Sequence, residues 1–207
     1  MSERRRDPLS GEWVIFATHR QDRTFLPPSD QCPLCPTKEP SAPTEVPWPS
    51  FDVAVFDNRF PSMVASPPIP DVAGSGLHEV EPAAGATEVV VYSDDHHASL
   101  VSLGRSRIRL LVDVWAERYA ALGQRSEVAY VFVFENRGEV VGVTLHHPHG
   151  QIYGYPEIPP LPARELAMAR RHLEEHGRCL MCDVVAKERS DGLRLVARND
   201  AFIAFVP

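Results

Sequence analysis

Hydrophobic positions along this chain follow two periods. Residues 12–17, 51–56, 88–93, 129–134 and 151–155 are short runs rich in β-branched and aromatic side chains, bounded by polar or turn-forming residues, and they predict strands. Residues 105–122 carry Ile108, Leu111, Val112, Trp115, Tyr119 and Leu122 on one helical stripe, and Gly123 supplies a stop. A second helix is predicted over 161–176, ended by Gly177, and two short strands over 193–198 and 201–206. Residues 27–49 and 65–76 are proline- and glycine-rich loops. The pattern is that of an α+β protein, with one complete unit followed by the start of a second copy that runs to residue 207.

Composition narrows the function classes. At 43% hydrophobic and 24% charged residues, the 207-residue chain reads as a soluble globular protein. A net charge of −7 argues against a broad nucleic-acid surface, which needs a basic face. No apolar run is long enough to span a membrane, and the basic residues at the start lead into no apolar segment, so the expectation is a cytoplasmic protein without an export signal.

The chemistry concentrates in His146-His147-Pro148-His149-Gly150-Gln151. On an extended strand His147, His149 and Gln151 share one face, Pro148 favours that extension, and Gly150 lets a ligand approach the backbone. Four cysteines form two Cys-x-x-Cys pairs, Cys32/Cys35 and Cys179/Cys182. In a chain without an export signal such pairs read as metal-binding or redox-active, and the proline-rich loop around Cys32 favours metal. Zinc takes four tetrahedral ligands from sulfur and imidazole nitrogen. Cys32, Cys35, His96 and His147 offer such a closed, structural set, with His97 beside His96 as the competing ligand. Cys179 and Cys182 read either as a second site, with His172 and His176 near in sequence, or as free thiols. With His147 tied up by a cation, His149 is free to attack phosphorus through one ring nitrogen while a backbone carbonyl holds the other, and Gln151 can donate its amide to a phosphoryl oxygen. Arg20 and Arg23, just past a strand end, read as a phosphate clamp or as a solvated turn.

Taken together, His147-Pro148-His149-Gly150-Gln151, Phe134-Glu135-Asn136-Arg137-Gly138, the first Cys-x-x-Cys, Ser93-Asp94-Asp95-His96 and the His19–Arg23 stretch resemble the galactose-1-phosphate uridylyltransferases, a branch of the histidine-triad (HIT) superfamily. The resemblance covers nearly all of this chain but only about the first half to 60% of a family member. It implies a HIT-like, mainly antiparallel sheet with packed helices over residues 1–177 and the start of a second HIT-like domain over 178–207. It also implies a double displacement: His149 attacks the α-phosphorus of UDP-glucose, releases glucose 1-phosphate, and passes the uridylyl group to galactose 1-phosphate. Gln151 matches the residue that contacts the transferred group. Arg20, Arg23, Asn58, Arg59, Asn136, Gly142, Val143 and Thr144 match nucleotide-sugar contacts. Cys32, Cys35, His96 and His147 match zinc ligands. Glu165 matches a ligand of a second, Fe2+-type site whose histidines belong to the family's C-terminal half. A homodimer or a complementary C-terminal chain is the implied partner. The competing readings are a zinc-stabilised nucleotide-binding module, a half-enzyme, and a phosphorylase acting on an ADP-sugar.

Overall fold

The computed structural model describes residues 2–22 and 25–206. Contacts divide the chain into two compact units, Met1–Glu157 and Ile158–Pro207. The helix over 161–176, read above as part of a first domain ending at 177, belongs to the second of these units.

The first unit contains β1 (Ser2–Arg6), β2 (Trp13–Ala17), β3 (Ala54–Asp57), β4 (Val80–Pro82), β5 (Ala86–Val91), α1 (Gly104–Gly123), β6 (Tyr130–Phe134) and β7 (His149–Tyr155). Every strand pairing in it is antiparallel. One sheet runs β2-β1-β4 and the other β3-β5-β7-β6. The strands β1 and β4 have no apolar signature in the sequence. Ion pairs and cation–π contacts hold β1 instead: Arg4 pairs with Glu81 and Glu157 and stacks over Trp13, Arg5 stacks over Phe16, and Arg6 reaches Glu79 at 3.2 Å.

The central strand β5 is buried along its whole length because both faces are covered. On one face Ala86, Val90, Tyr92 and Ile152 pack against Leu111 and Leu122 of α1. Glu88 is also buried there, paired with Arg118 of the helix at 2.6 Å. On the other face Val89 and Val91 meet Cys32, Leu34 and Val46 from the proline-rich loop and Ala54 of β3. The helix spans the stretch its apolar period indicates, with two differences. Val112 and Tyr119 are exposed, and Leu111, Val114, Trp115 and Leu122 form the packed face. Gly123 is the last helical residue rather than a left-handed stop, and Gln124 caps the helix in right-handed geometry.

In the second unit, α2 (Pro160–His176) stops at Gly177, whose φ of 67° is the left-handed geometry expected there. The second cysteine pair then opens a helix, α3 (Leu180–Asp191), with Cys179 at its N-cap. This helix is not among the elements that the hydrophobic pattern predicts. Asp183, in the first turn of α3, takes hydrogen bonds from His172 at 2.9 Å and Arg178 at 2.5 Å, which ties the two helices together. A hairpin of β8 (Leu195–Arg198) and β9 (Ile203–Phe205) follows. No described helix is long and apolar enough to cross a membrane.

Candidate functional site

Strand β7 begins at His149, so His147 lies just ahead of it, and Pro148 still extends the pairing by accepting the Tyr92 N–H at 3.0 Å. His147 is fully buried. Its Nδ1 lies 3.4 Å from the Cys35 Sγ, and its Nε2–H donates to the Ser93 carbonyl at 2.7 Å. That second contact fixes the tautomer and leaves Nδ1 as a free lone pair. The His96 Nδ1 also stands 3.4 Å from Cys35. The ligand atoms of Cys32, Cys35, His96 and His147 all lie within 4.8 Å of one another. The 3.4 Å separations match the roughly 3.4–3.8 Å edges of a tetrahedron drawn with typical metal–nitrogen and metal–sulfur bonds, so the donor set fits a small cation. Without the cation, burial and the neighbouring Cys32 push the Cys35 thiol up to about 11. A bound cation reverses that and holds a thiolate. His97 is exposed and stands outside the set.

Beyond this cluster, alternation along β7 sends His149, Gln151 and Tyr153 to the face opposite α1. There they line a cavity of ≈ 260 Å3. The His149 Nδ1–H donates to the His147 carbonyl at 2.7 Å, which leaves Nε2 without a partner from its own segment. Burial holds the His149 pKa below the ordinary histidine value, so the ring is neutral and nucleophilic at neutral pH. Gln151 accepts a hydrogen bond on Oε1 from the Asn58 Nδ2 at 3.2 Å, which frees its own NH2 as a donor. Asn58 is in turn held by a hydrogen bond from the Phe60 N–H at 2.8 Å. Arg20 donates to the Tyr153 hydroxyl at 3.2 Å and lines the same cavity. Asn136, Gly142, Val143 and Thr144 close it from the β6 side, with Gly142 in left-handed geometry at φ 76°.

The remaining candidates fall elsewhere. Arg59 is largely exposed, lies over the Phe60 ring and is not among the cavity-lining residues. Arg23 lies outside the described residues. Glu165 is exposed on α2 in the second unit and joins no cluster of metal-ligating side chains among the described residues. Cys179 and Cys182 are exposed free thiols outside any such cluster. The Cys179 thiol is lowered by the backbone N–H groups at the start of α3, and Cys182 is raised by Cys179. Gly150 serves a different purpose from the one its sequence position implies. A Cβ there would stand 2.1 Å from the Tyr92 hydroxyl and 2.8 Å from the Phe134 carbonyl, so the glycine admits a buried tyrosine rather than a ligand. Sequence reasoning also missed Leu34, Glu45, Phe134 and Tyr153. Two-residue alternation from His149 reaches Tyr153, whereas Glu45 carries no local signal.

Residues 1–159 match the family model for the N-terminal domain of galactose-1-phosphate uridyl transferase. The chain is 40% identical over 205 residues to the galactose-1-phosphate uridylyltransferase of Streptomyces lividans, covering 99% of this chain and 52% of that protein. It is 37% identical over 207 residues to the enzyme of that name from Thermotoga maritima, covering 63% of its length. A solved uridylyltransferase structure superposes with a TM-score of 0.80 at 34% identity, over 99% of this chain and 61% of that one. The chain thus spans about half to three-fifths of the length of the relatives it matches.

Proposed function

The chain belongs to the galactose-1-phosphate uridyl transferase family, through that family's N-terminal domain, and on that premise we propose that it moves UMP from UDP-glucose to galactose 1-phosphate through a uridylyl-histidine. The observation that carries this reading is the His149 ring, whose Nδ1–H is engaged by the His147 carbonyl while its opposite edge lines the cavity.

In the first half-reaction the His149 Nε2 attacks the α-phosphorus of UDP-glucose, and the bond to the glucose 1-phosphate oxygen breaks with its electron pair. The ring gains positive charge as the new N–P bond forms, and the Nδ1–H bond to the His147 carbonyl strengthens with it. The Gln151 NH2, oriented by Asn58, donates to a phosphoryl oxygen, and Arg20 offsets the remaining negative charge. In the second half-reaction a phosphate oxygen of galactose 1-phosphate attacks the same phosphorus, and His149 leaves as the neutral imidazole.

We assign the Cys32, Cys35, His96 and His147 set to Zn2+, a structural ion that fixes the loop and the carbonyl of His147. An Fe2+ site through Glu165, contributed with residues of a C-terminal half, a homodimer or complementary chain, a second HIT-like repeat beginning at 178 and a cytoplasmic setting complete the proposal.

The test is incubation with UDP-glucose labelled at the α-phosphorus. Acid-labile, base-stable label on the protein is expected, and a His149→Asn variant loses it. Absence of label, also with a C-terminal fragment added, favours a module that binds nucleotide without chemistry.

A further inference from the structure

Among the described residues one carboxylate, that of Glu45, lines the cavity that holds His149, and the proposed chemistry gives it no task. Glu45 lines this cavity together with Pro33 and Leu34, and its backbone N–H is fixed by the Pro33 carbonyl at 2.9 Å. Its side chain is only 20% exposed. The ion pair it makes is long, 3.9 Å to the guanidinium of Arg59, which is itself 69% exposed. Burial raises the Glu45 carboxyl above its ordinary value, and Arg59 draws it back only in part.

Position decides what this group can meet. The sheet order is β3-β5-β7-β6, with His149 and Gln151 on β7 and Val89 on β5. Asn58 and Arg59 follow directly after β3, and Arg59 faces Glu45. Glu45 thus belongs to the β3 side of the cavity, and β3 and β7 are two strand spacings, about 10 Å, apart. A carboxylate beside the phosphates would repel them. On the β3 side, where Leu34 also lines the cavity, it can lie clear of a phosphorus held at His149 and face the nucleoside instead. The part of a nucleoside farthest from the phosphates is the edge of the base.

We infer that Glu45 is a specificity-determining residue that reads the base by accepting a hydrogen bond from the ring N–H of a uracil-type imide. This rests on the nucleotide-site reading above and extends it to the identity of the base. A carboxylate oxygen facing the N3–H of uracil makes a charge-assisted bond. The same oxygen facing the unprotonated ring nitrogen of adenine or cytosine meets a lone pair.

The experiment is calorimetric titration of the full chain with UMP and with N3-methyluridine 5′-monophosphate, which lacks only the donor. Wild type is expected to bind UMP roughly tenfold or more tighter than the methylated analogue. In Glu45→Ala the ratio is expected to fall to about threefold or less, because the acceptor is gone and space for the methyl group has opened. Glu45→Gln, which keeps a carbonyl acceptor, retains part of the preference. Equal binding of the two ligands by wild type, or the same ratio in wild type and Glu45→Ala, overturns this role for Glu45 and leaves the transferase proposal standing. Absence of UMP binding overturns both. A Glu45-dependent ratio in a protein that takes no label from UDP-glucose overturns the transferase proposal alone.

Discussion

The His149 Nδ1 lies 2.7 Å from the carbonyl oxygen of His147, so one ring nitrogen is committed to the backbone of the residue whose side chain faces the cysteine pair. Structural and chemical roles are thus joined within three residues. The imidazole of His147 points to the Cys32–Cys35–His96 cluster and its carbonyl points to the ring proposed as the nucleophile.

This geometry predicts the regiochemistry of the proposed covalent intermediate. With Nδ1 engaged, only Nε2 can bond to phosphorus. Digestion of labelled protein followed by NMR of the modified peptide is expected to show the Nε2-substituted isomer. Substitution at Nδ1 would mean that the hydrogen bond to His147 does not exist in the reacting state.

Removal of metal is expected to act on the first unit as a whole. Cys32, Leu34 and Val46 pack on Val89 and Val91, so the loop that supplies two ligands also covers one face of the central strand. Elemental analysis is expected to give one zinc per chain and none in Cys32→Ser or Cys35→Ser. Chelation at neutral pH should lower the thermal midpoint by several degrees, as loss of about 2 kcal/mol does in a domain of this size. It should also reduce nucleotide labelling, because the His147 carbonyl is no longer held. An unchanged midpoint after complete metal removal would rule out a structural role.

The parts of the site legible in the sequence are those written in local spacing. His147, His149 and Gln151 are two apart, and the first cysteines are three apart, so a short-range rule finds them. Choosing His96 over His97 needed the fold, because only His96 turns its ring towards Cys35. Strand β1 was invisible to a search for apolar alternation, since three consecutive arginines satisfy themselves with carboxylates and aromatic faces. Helix α3 was hidden by the polar and β-branched residues around Cys182. Glu45 reaches the cavity only because the loop over 33–46 folds back onto β5, a contact without local signature.

The fit of Gly150 over Tyr92 predicts a measurable coupling. Gly150→Ala drives a methyl group into the Tyr92 hydroxyl and the Phe134 carbonyl, in a region where Tyr92 is also packed edge-on against Trp115 with ring centroids 6.0 Å apart. Overpacking of this kind costs about 1–3 kcal/mol. Tyr92→Phe removes the nearest clashing atom, a hydroxyl that neighbours the Glu135 carboxylate. The double variant is expected to be more stable than the sum of the single effects by roughly 1 kcal/mol in denaturant melts. Strict additivity would show that the hydroxyl is not what the glycine accommodates.

The Asn58–Gln151 pair sets the direction of an amide, and its substitution should show which end of Gln151 matters. Asn58 donates to Oε1 of Gln151, so the NH2 of Gln151 is left for the cavity. Asn58→Ala removes the donor and lets the amide sample both orientations, and a fall in the labelling rate of about tenfold is expected. Asn58→Asp keeps the size but presents an acceptor. It attracts the Gln151 NH2 and turns Oε1 towards the phosphoryl group, where an acceptor replaces a donor and a new negative charge stands nearby. The expected loss is larger, on the order of 100-fold or more, as when a donor to a developing oxyanion is deleted. Single-turnover labelling from UDP-glucose at saturating ligand separates this effect from weakened binding. An Asn58→Asp variant that labels as fast as Asn58→Ala would show that the orientation of Gln151 does not govern the transfer.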